Sequence, residues 1–340
     1  MSLQNLKHLV LSGGGFLGIS YTGLIRLLEE ENVVKNIKSI SGCSAGSIFG
    51  TLITLGYSSN EITNIMKNLN FKEYLNINAD SILNFFKTKG LESGNKFSML
   101  LKKLIKDKTN NENYTFKDIK NNYDIDLQIG VCNLSKCTFE IFNHQTHPEV
   151  PLYLAIRASC SIPLLFEPVV IGENLYCDGG FMDNFPMEKA FELEKYMSTG
   201  EKDKEKEKDK EKEKDNENKN ENKDKNENNT TEKQKPLILG VMLVNDSPKM
   251  LSSEYKNASI FDYFNIIKHS FVLASNDNKI ALINARGDEN IDGNKNFTKK
   301  IIKIEIPCDI ATFVKINTSK EDIENMIEIA YGTCKKELLI

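Results

Sequence analysis

Ser44 stands in the run Gly42-Cys43-Ser44-Ala45-Gly46, with only small residues on either side. A serine hydroxyl becomes a nucleophile when its chain bends sharply enough to expose it and a base takes its proton. A G-x-S-x-G turn between a strand and a helix does the first, because bulky neighbours two residues away would clash at so tight a bend. The run follows the short apolar stretch Ile37–Ile40 and opens the small-residue stretch 44–56, which reads as a helix. In such an elbow the next amide, that of Ala45, can face a developing oxyanion. Cys43 occupies the wrong position of the turn for a nucleophile and is read as a small packing residue.

A second glycine-marked turn lies upstream, Ser12-Gly13-Gly14-Gly15-Phe16-Leu17-Gly18. Glycines let the backbone come close to a ligand and aim several N–H groups at one negative centre. The spacing also fits G-x-G-x-x-G, the dinucleotide fingerprint, which requires an acidic residue near the end of the second strand. No Asp or Glu lies between positions 32 and 60, so a nucleotide site is the weaker reading. A purely structural tight turn is the other alternative.

The proton acceptor for Ser44 is not an obvious histidine. The chain has four, at positions 8, 144, 147 and 269. In the order serine, acid, histidine only His269 comes late enough, and it sits in the apolar stretch FNIIKHSFVLAS without a turn-like setting. His8 starts a buried strand, while His144 and His147 lie in a polar loop. A carboxylate fits better. Asp178, in LYCDGGFMDNFP, ends a short apolar run and is followed by Gly179 and Gly180, which permit a tight turn towards a cleft. A carboxylate within hydrogen-bond reach of a serine can accept its proton. An ordinary Asx-turn is the competing reading of the same residues.

These turns need elements to hold them. Residues 8–15 read as a buried strand ending in the glycine turn, and 20–33 as a helix burying Leu24, Ile25, Leu27 and Leu28. Residues 37–42, 127–134, 137–142, 237–244 and 300–307 read as further strands. Ser319 with Asp322 three residues on signals the start of a C-terminal helix. Strand alternating with helix predicts an α/β fold with a mainly parallel sheet flanked by helices.

Residues 201–235 contain no aliphatic or aromatic side chain and carry 13 acidic against 12 basic residues. They cannot bury enough apolar surface to offset their ordering entropy and are read as a disordered insertion. Strands on both sides of it predict one α/β domain, with a catalytic region over 8–200 completed by 236–340. The net charge of −4 and the lack of basic stripes disfavour nucleic acid as a partner. Seven scattered cysteines show no C-x-x-C spacing, so reduced thiols and a cytoplasmic setting are expected. No stretch of about 18 apolar residues suggests a membrane span.

Taken together the three turns resemble the patatin-like phospholipase family, whose signature is a glycine-rich loop, a G-x-S-x-G elbow and a D-G-[GA] motif. Here they stand in order as Gly13–Gly18, Gly42–Gly46 and Asp178–Gly180. The segment AIRASCSIPLLFEPV (155–169) and the run DGGFMDNFP, with Asn184 and Pro186, are similar to the family's as well. The resemblance covers about residues 8–190. It implies a three-layer patatin-like architecture and a Ser–Asp dyad without histidine, Ser44 as nucleophile and Asp178 as general base. It further implies an oxyanion hole from the Gly13, Gly14 and Gly15 backbone, supported by Gly18, Gly42, Gly46, Gly179 and Gly180. No metal or other cofactor is implied, and the substrate would be a lipid at a membrane surface, with phospholipase A chemistry foremost. One departure stands out: the family usually has Arg or Lys just before the last glycine of the loop, where this chain has Leu17. An apolar residue there favours uncharged lipids, so a neutral-lipid lipase or lysophospholipase is the alternative enzyme. A silent lipid-binding protein is the non-catalytic alternative. Residues 71–105 mix Leu and aromatics with Lys and read as a helical cap. Its Leu83, Phe85 and Phe86 side would touch lipid or line an acyl channel, core packing being the plainer expectation.

Overall fold

The computed structural model describes residues 2–70, 73–74, 79–194, 235–245, 297–306 and 318–339, with isolated residues between 276 and 284. The charged insertion and His269 therefore lie outside the described residues. In chain order the elements are β1 (Leu6–Leu11), α1 (Tyr21–Glu30), β2 (Ser39–Cys43), α2 (Ala45–Thr54), α3 (Ser59–Asn68) and α4 (Ala79–Thr88). Next come β3 (Gly90–Glu92), α5 (Asn95–Thr109), α6 (Phe116–Tyr123), β4 (Asp126–Asn133), β5 (Thr138–Phe142) and α7 (Leu152–Ser159). The short strands β6 (Leu164–Phe166), β7 (Val169–Ile171) and β8 (Asn174–Asp178) precede β9 (Leu237–Asn245), β10 (Thr298–Ile306) and α8 (Lys320–Leu338).

Among the described residues eight strands form one sheet in the order β10-β9-β1-β2-β4-β8-β7, with β5 also paired to β4. The run from β10 to β4 is parallel, whereas β5, β7 and β8 join by antiparallel pairing. The fold is thus α/β with a mixed, mostly parallel sheet flanked by helices. Parallel strands need both faces covered, and β1 shows it. Leu9 and Leu11 enter the main core, while Val10 faces a second core with Phe185, Met187, Ile238 and Met242. Leu24, Ile25, Leu27 and Leu28 of α1 are buried in the main core, as the sequence pattern of that helix indicated. The α8 start forms the expected capping box: Ser319 Oγ accepts from the Asp322 amide, and the Asp322 carboxylate accepts from the Ser319 amide.

The decisive topological feature is the edge of β4 that faces β2. Strand β5 takes the opposite edge, pairing residues 129–133. Strand β2 runs along Asp126–Gly130 and ends with Cys43 beside Gly130. Strand β8 runs the other way along Asn133–Val131 and ends with Asp178 beside Val131. Both share one edge because β5 already fills the other. Two strands therefore meet nose to nose, and the residues at their tips, Ser44 and Asp178, come together.

The segment read as a cap folds as α4, β3 and α5, with β3 pairing β6 in a separate two-stranded ladder. Core packing does not hold for its outer side chains: Leu83 and Phe86 stand in solvent, and Phe85 is half-buried.

Candidate active site

Ser44 joins β2 to α2 with φ 50° and ψ −123°, a conformation a non-glycine residue holds only at a cost of about 1–3 kcal/mol. The elbow tolerates nothing larger than glycine at its shoulders. A Cβ on Gly42 would lie 2.3 Å from the Gly46 carbonyl oxygen, and one on Gly46 would lie 2.2 Å from that of Leu11. The Ser44 amide donates to Ser159 Oγ (2.8 Å), which donates to the Gly130 carbonyl (2.7 Å). Ser159 thus ties the elbow to the middle of β4, a role its place in a small-residue segment did not reveal.

The Ser44 hydroxyl donates to Asp178 Oδ2 at 2.7 Å, and both residues are buried. The second oxygen, Oδ1, accepts the Gly180 amide at 2.8 Å, and the Asp178 amide donates to the Ser161 carbonyl at 2.9 Å. Gly180 thus holds one carboxylate oxygen, Ser161 holds the Asp178 main chain, and the serine bonds the other oxygen. Close approach explains the D-G-G sequence, since a Cβ on Gly179 would sit 2.6 Å from the Gly130 carbonyl oxygen.

The glycine loop closes the third side. A Cβ on Gly13 would fall 2.9 Å from Ser44 Cβ, so the loop lies against the nucleophile. Asn184 grips Gly13 twice: its carbonyl accepts the Gly13 amide (3.1 Å), and its Nδ2 donates to the Gly13 carbonyl (3.2 Å). The Gly13 amide is therefore spent on the scaffold and is not a free oxyanion donor. Among the described residues no protein acceptor takes the Gly14 or Gly15 amide. Tyr21 anchors the strand end before the loop, its hydroxyl donating to the Ser12 carbonyl (2.8 Å). Leu17 turns into the main core, so the position where a cation was missing faces the protein interior.

The remaining candidates separate cleanly. Cys43 is buried, and burial together with the Asp178 charge holds its thiol well above the ordinary range. Burial pushes the Cys160 thiol up to about 12, although it neighbours Ser44 and Ser47. His8 is buried between Glu194 Oε2 (2.6 Å) and Ser39 Oγ (2.7 Å). His144 bonds Asp126 (2.8 Å), and His147 stacks on Phe142 with centroids 3.8 Å apart. None of these three reaches the Ser44–Asp178 pair. Among the described residues no group of three or more His, Cys, Asp or Glu is arranged to hold a metal ion.

A family model described as patatin-like phospholipase matches residues 9–191, more than half of the chain. The chain belongs to the patatin-like phospholipase family. A protein of Acanthamoeba polyphaga mimivirus, described as uncharacterized, is 34% identical over 188 residues, which are 55% of this chain and 62% of that one. A "Probable lipid hydrolase" of Invertebrate iridescent virus 6 is 30% identical over 200 residues, covering 58% of this chain and 67% of its own. The chain therefore spans somewhat under two thirds of the first relative's length. Among solved structures, VipD from Legionella pneumophila superposes with a TM-score of 0.51 at 17% identity, covering 98% of this chain and 67% of that one, a likeness of fold. No described helix of this family member is long and apolar enough to cross a membrane.

Proposed function

We propose that the chain is a lipid acyl hydrolase of phospholipase A type, with Ser44 as nucleophile and Asp178 as general base. The observation that carries the reading is the buried 2.7 Å hydrogen bond from Ser44 Oγ to Asp178 Oδ2 at the tip of a strained elbow. In the first step Asp178 takes the hydroxyl proton as Ser44 Oγ attacks the ester carbonyl. The carbonyl oxygen becomes an oxyanion, stabilised by the unspent Gly14 and Gly15 amides and by the positive N-terminal end of α2. Collapse breaks the ester C–O bond, and protonated Asp178 returns its proton to the departing alcohol, the lysolipid. Water then enters, gives a proton to Asp178, and attacks the acyl-enzyme. Fatty acid leaves, and the proton goes back to Ser44 Oγ.

The description of the iridescent-virus relative as a lipid hydrolase points the same way. A neutral-lipid lipase or lysophospholipase on the same dyad is the second reading; Leu17, buried in the core, does not choose between the two. The paired Ser44 and Asp178 weigh against a silent lipid-binding protein. We further read residues 8–200 and 236–340 as one catalytic α/β domain around a charged insertion, working in the cytoplasm at membrane surfaces. That β9 and β10 extend the sheet on which β1 and β2 lie supports the first of these.

The test is fatty-acid release from mixed phospholipid vesicles, triacylglycerol emulsions and lysophospholipid, read by mass spectrometry. Wild type is compared with Ser44→Ala and Asp178→Asn, with folding checked by circular dichroism. Release from diacyl phospholipid that falls by at least about a thousandfold in both variants is the expected result. Release from lysophospholipid or triacylglycerol alone selects the second reading. Activity surviving both substitutions would sink the dyad.

A further inference from the structure

Among the described residues the two cores take up most large apolar side chains, but the outer face of α4 stands apart from them. Ile82, Leu83 and Phe86 are 62%, 78% and 82% exposed, on neighbouring positions of one helix. Large apolar side chains this exposed, side by side, mark a surface built to meet something else. Leu164, also exposed, extends the apolar surface: it lies across the short ladder from Gly90, just beyond the end of α4. It does so at φ 68°, a left-handed conformation unfavourable for leucine.

Charge identifies the occupant. Residues 79–109 hold seven lysines against Asp80, Glu92 and Asp107, a net of +4 in a chain whose total is −4. Lys102 and Lys108 are tied to Glu112 and Glu61. Lys87, Lys96 and Lys103 form no ion pair among the described residues. Met99, 68% exposed, lines an open cleft of about 740 Å³ between α3 and α5 together with Lys96 and Lys103. Apolar side chains that can enter an acyl boundary, set among unpaired lysines on an otherwise acidic protein, fit an anionic lipid surface.

We propose that α4 and the start of α5 form the surface by which this protein docks onto anionic bilayers, with Ile82, Leu83 and Phe86 inserted and Lys87 and Lys96 against the headgroups. The proposal rests on the lipid-hydrolase reading for its purpose, and on this patch alone for its location. The β3–β6 ladder that follows α4 connects to the acid loop through hydrogen bonds. The Glu167 amide donates to the Glu92 carbonyl, and Arg157 of α7 donates to the Ser93 and Glu167 carbonyls and to Ser161 Oγ. The Ser161 carbonyl accepts the Asp178 amide.

The experiment is co-sedimentation of full-length Ser44→Ala protein with vesicles of equal parts phosphatidylcholine and phosphatidylglycerol, and with phosphatidylcholine alone. It is repeated in a Leu83→Glu/Phe86→Glu variant and in a Lys87→Glu/Lys96→Glu variant, all four positions lying on the surface. Soluble-ester hydrolysis is measured in parallel with Ser44 restored. The expected result is binding that needs the anionic lipid and weakens with salt. Each double variant should lower partitioning by about tenfold or more. Soluble-ester hydrolysis should stay within about twofold of wild type. Wild-type-like vesicle binding by both variants, or no binding by the parent, overturns the proposal. So does a parent that is oligomeric while Leu83→Glu/Phe86→Glu is monomeric and still binds vesicles, because the face is then a protein interface. Vesicle binding without hydrolysis of any ester leaves the docking surface standing and removes the enzymatic reading.

Discussion

Asn184 holds Gly13 from both sides, its main-chain oxygen on the Gly13 amide and its side-chain amide on the Gly13 carbonyl. The acid-bearing loop after β8 and the glycine loop after β1 are thereby locked as one unit around Ser44. Asn184→Ala keeps the main-chain half of this grip and deletes the side-chain half, leaving the Gly13 carbonyl with the Ser12 hydroxyl (3.1 Å) as its donor. Losing one such hydrogen bond costs about 0.5–1.5 kcal/mol. Turnover of a soluble ester should fall about tenfold to a hundredfold through kcat, with KM little changed. A variant that melts lower yet turns over normally would show that Asn184 serves stability alone.

The elbow glycines should be intolerant for a reason unrelated to chemistry. In Gly46→Ala the new methyl would be driven into the Leu11 main-chain oxygen, which β1 cannot move aside without disturbing the sheet. Overpacking of this kind costs about 1–3 kcal/mol, occasionally more. Urea denaturation should record a lower midpoint at unchanged slope. Gly56→Ala, where no atom lies within 4 Å but φ is 73°, is the control for backbone strain alone and should be milder.

Thiol chemistry separates the serine from its cysteine neighbours. Cys43 and Cys160 flank Ser44 yet are buried with raised pKa, so neither supplies thiolate near neutrality. Cys137, in the β4–β5 turn, is exposed. Iodoacetamide on the folded protein should label Cys137 while leaving Cys43 and Cys160 unmodified, and ester hydrolysis should persist. Peptide mapping with an activity assay on the same sample checks this; fast labelling of Cys43 with matching inactivation would reopen its case as nucleophile.

How much of this was legible without coordinates differs residue by residue. The elbow was, because a sharp strand-to-helix turn is local and demands small residues at Gly42 and Gly46, even though the atom that excludes a side chain at Gly46 is the Leu11 carbonyl oxygen on β1. Strands β1, β2, β4, β5, β9 and β10 were legible as apolar runs. The short β3, β6 and β7 were not, since three residues show no periodicity. Nor was the meeting of β2 and β8 along one edge of β4, which depends on pairing across some 130 positions of chain. The same limit hid Ser159, whose only sign was membership of a small-residue segment. The glycine loop was legible as a ligand-facing turn, but which of its amides stay free depends on where Asn184 returns.

Acid should uncover one modest electrostatic contribution. Glu61 caps α3, and its hydrogen bond to Lys108 with help from the Ser58 amide lowers its carboxyl from an ordinary 4.5 to about 2. Because the folded-state value is depressed, the stabilisation is present in full above about pH 4.5 and disappears as pH falls towards 2. The side chain is 47% exposed, so solvent screening limits the effect to under about 1 kcal/mol. Glu61→Gln should therefore be slightly less stable than wild type at neutral pH and indistinguishable near pH 2. Urea midpoints of the two proteins across that range test it.

Arg157 is the strongest single test of how the cap and the acid loop are joined. It is buried, with its guanidinium carbon 4.9 Å from the centre of the Phe166 ring, and burial lowers its pKa. Its guanidinium donates to the Ser93 carbonyl (2.9 Å), the Glu167 carbonyl (3.1 Å) and Ser161 Oγ. Three acceptors on three segments need a planar fork, which a lysine ammonium cannot supply at the same points. Arg157→Lys should lose about 2–4 kcal/mol, because buried acceptors are left unpaired. It should also slow ester hydrolysis, since the Ser161 carbonyl that holds the Asp178 amide follows directly from α7. The two effects can be told apart by assaying at low temperature, where the variant is fully folded. If hydrolysis is then normal, Arg157 only braces β3 against β6. A persistent fall in kcat with unchanged KM would instead mean that the Asp178 carboxylate has moved away from the Ser44 hydroxyl, and a crystal structure of the variant would show the 2.7 Å bond lengthened.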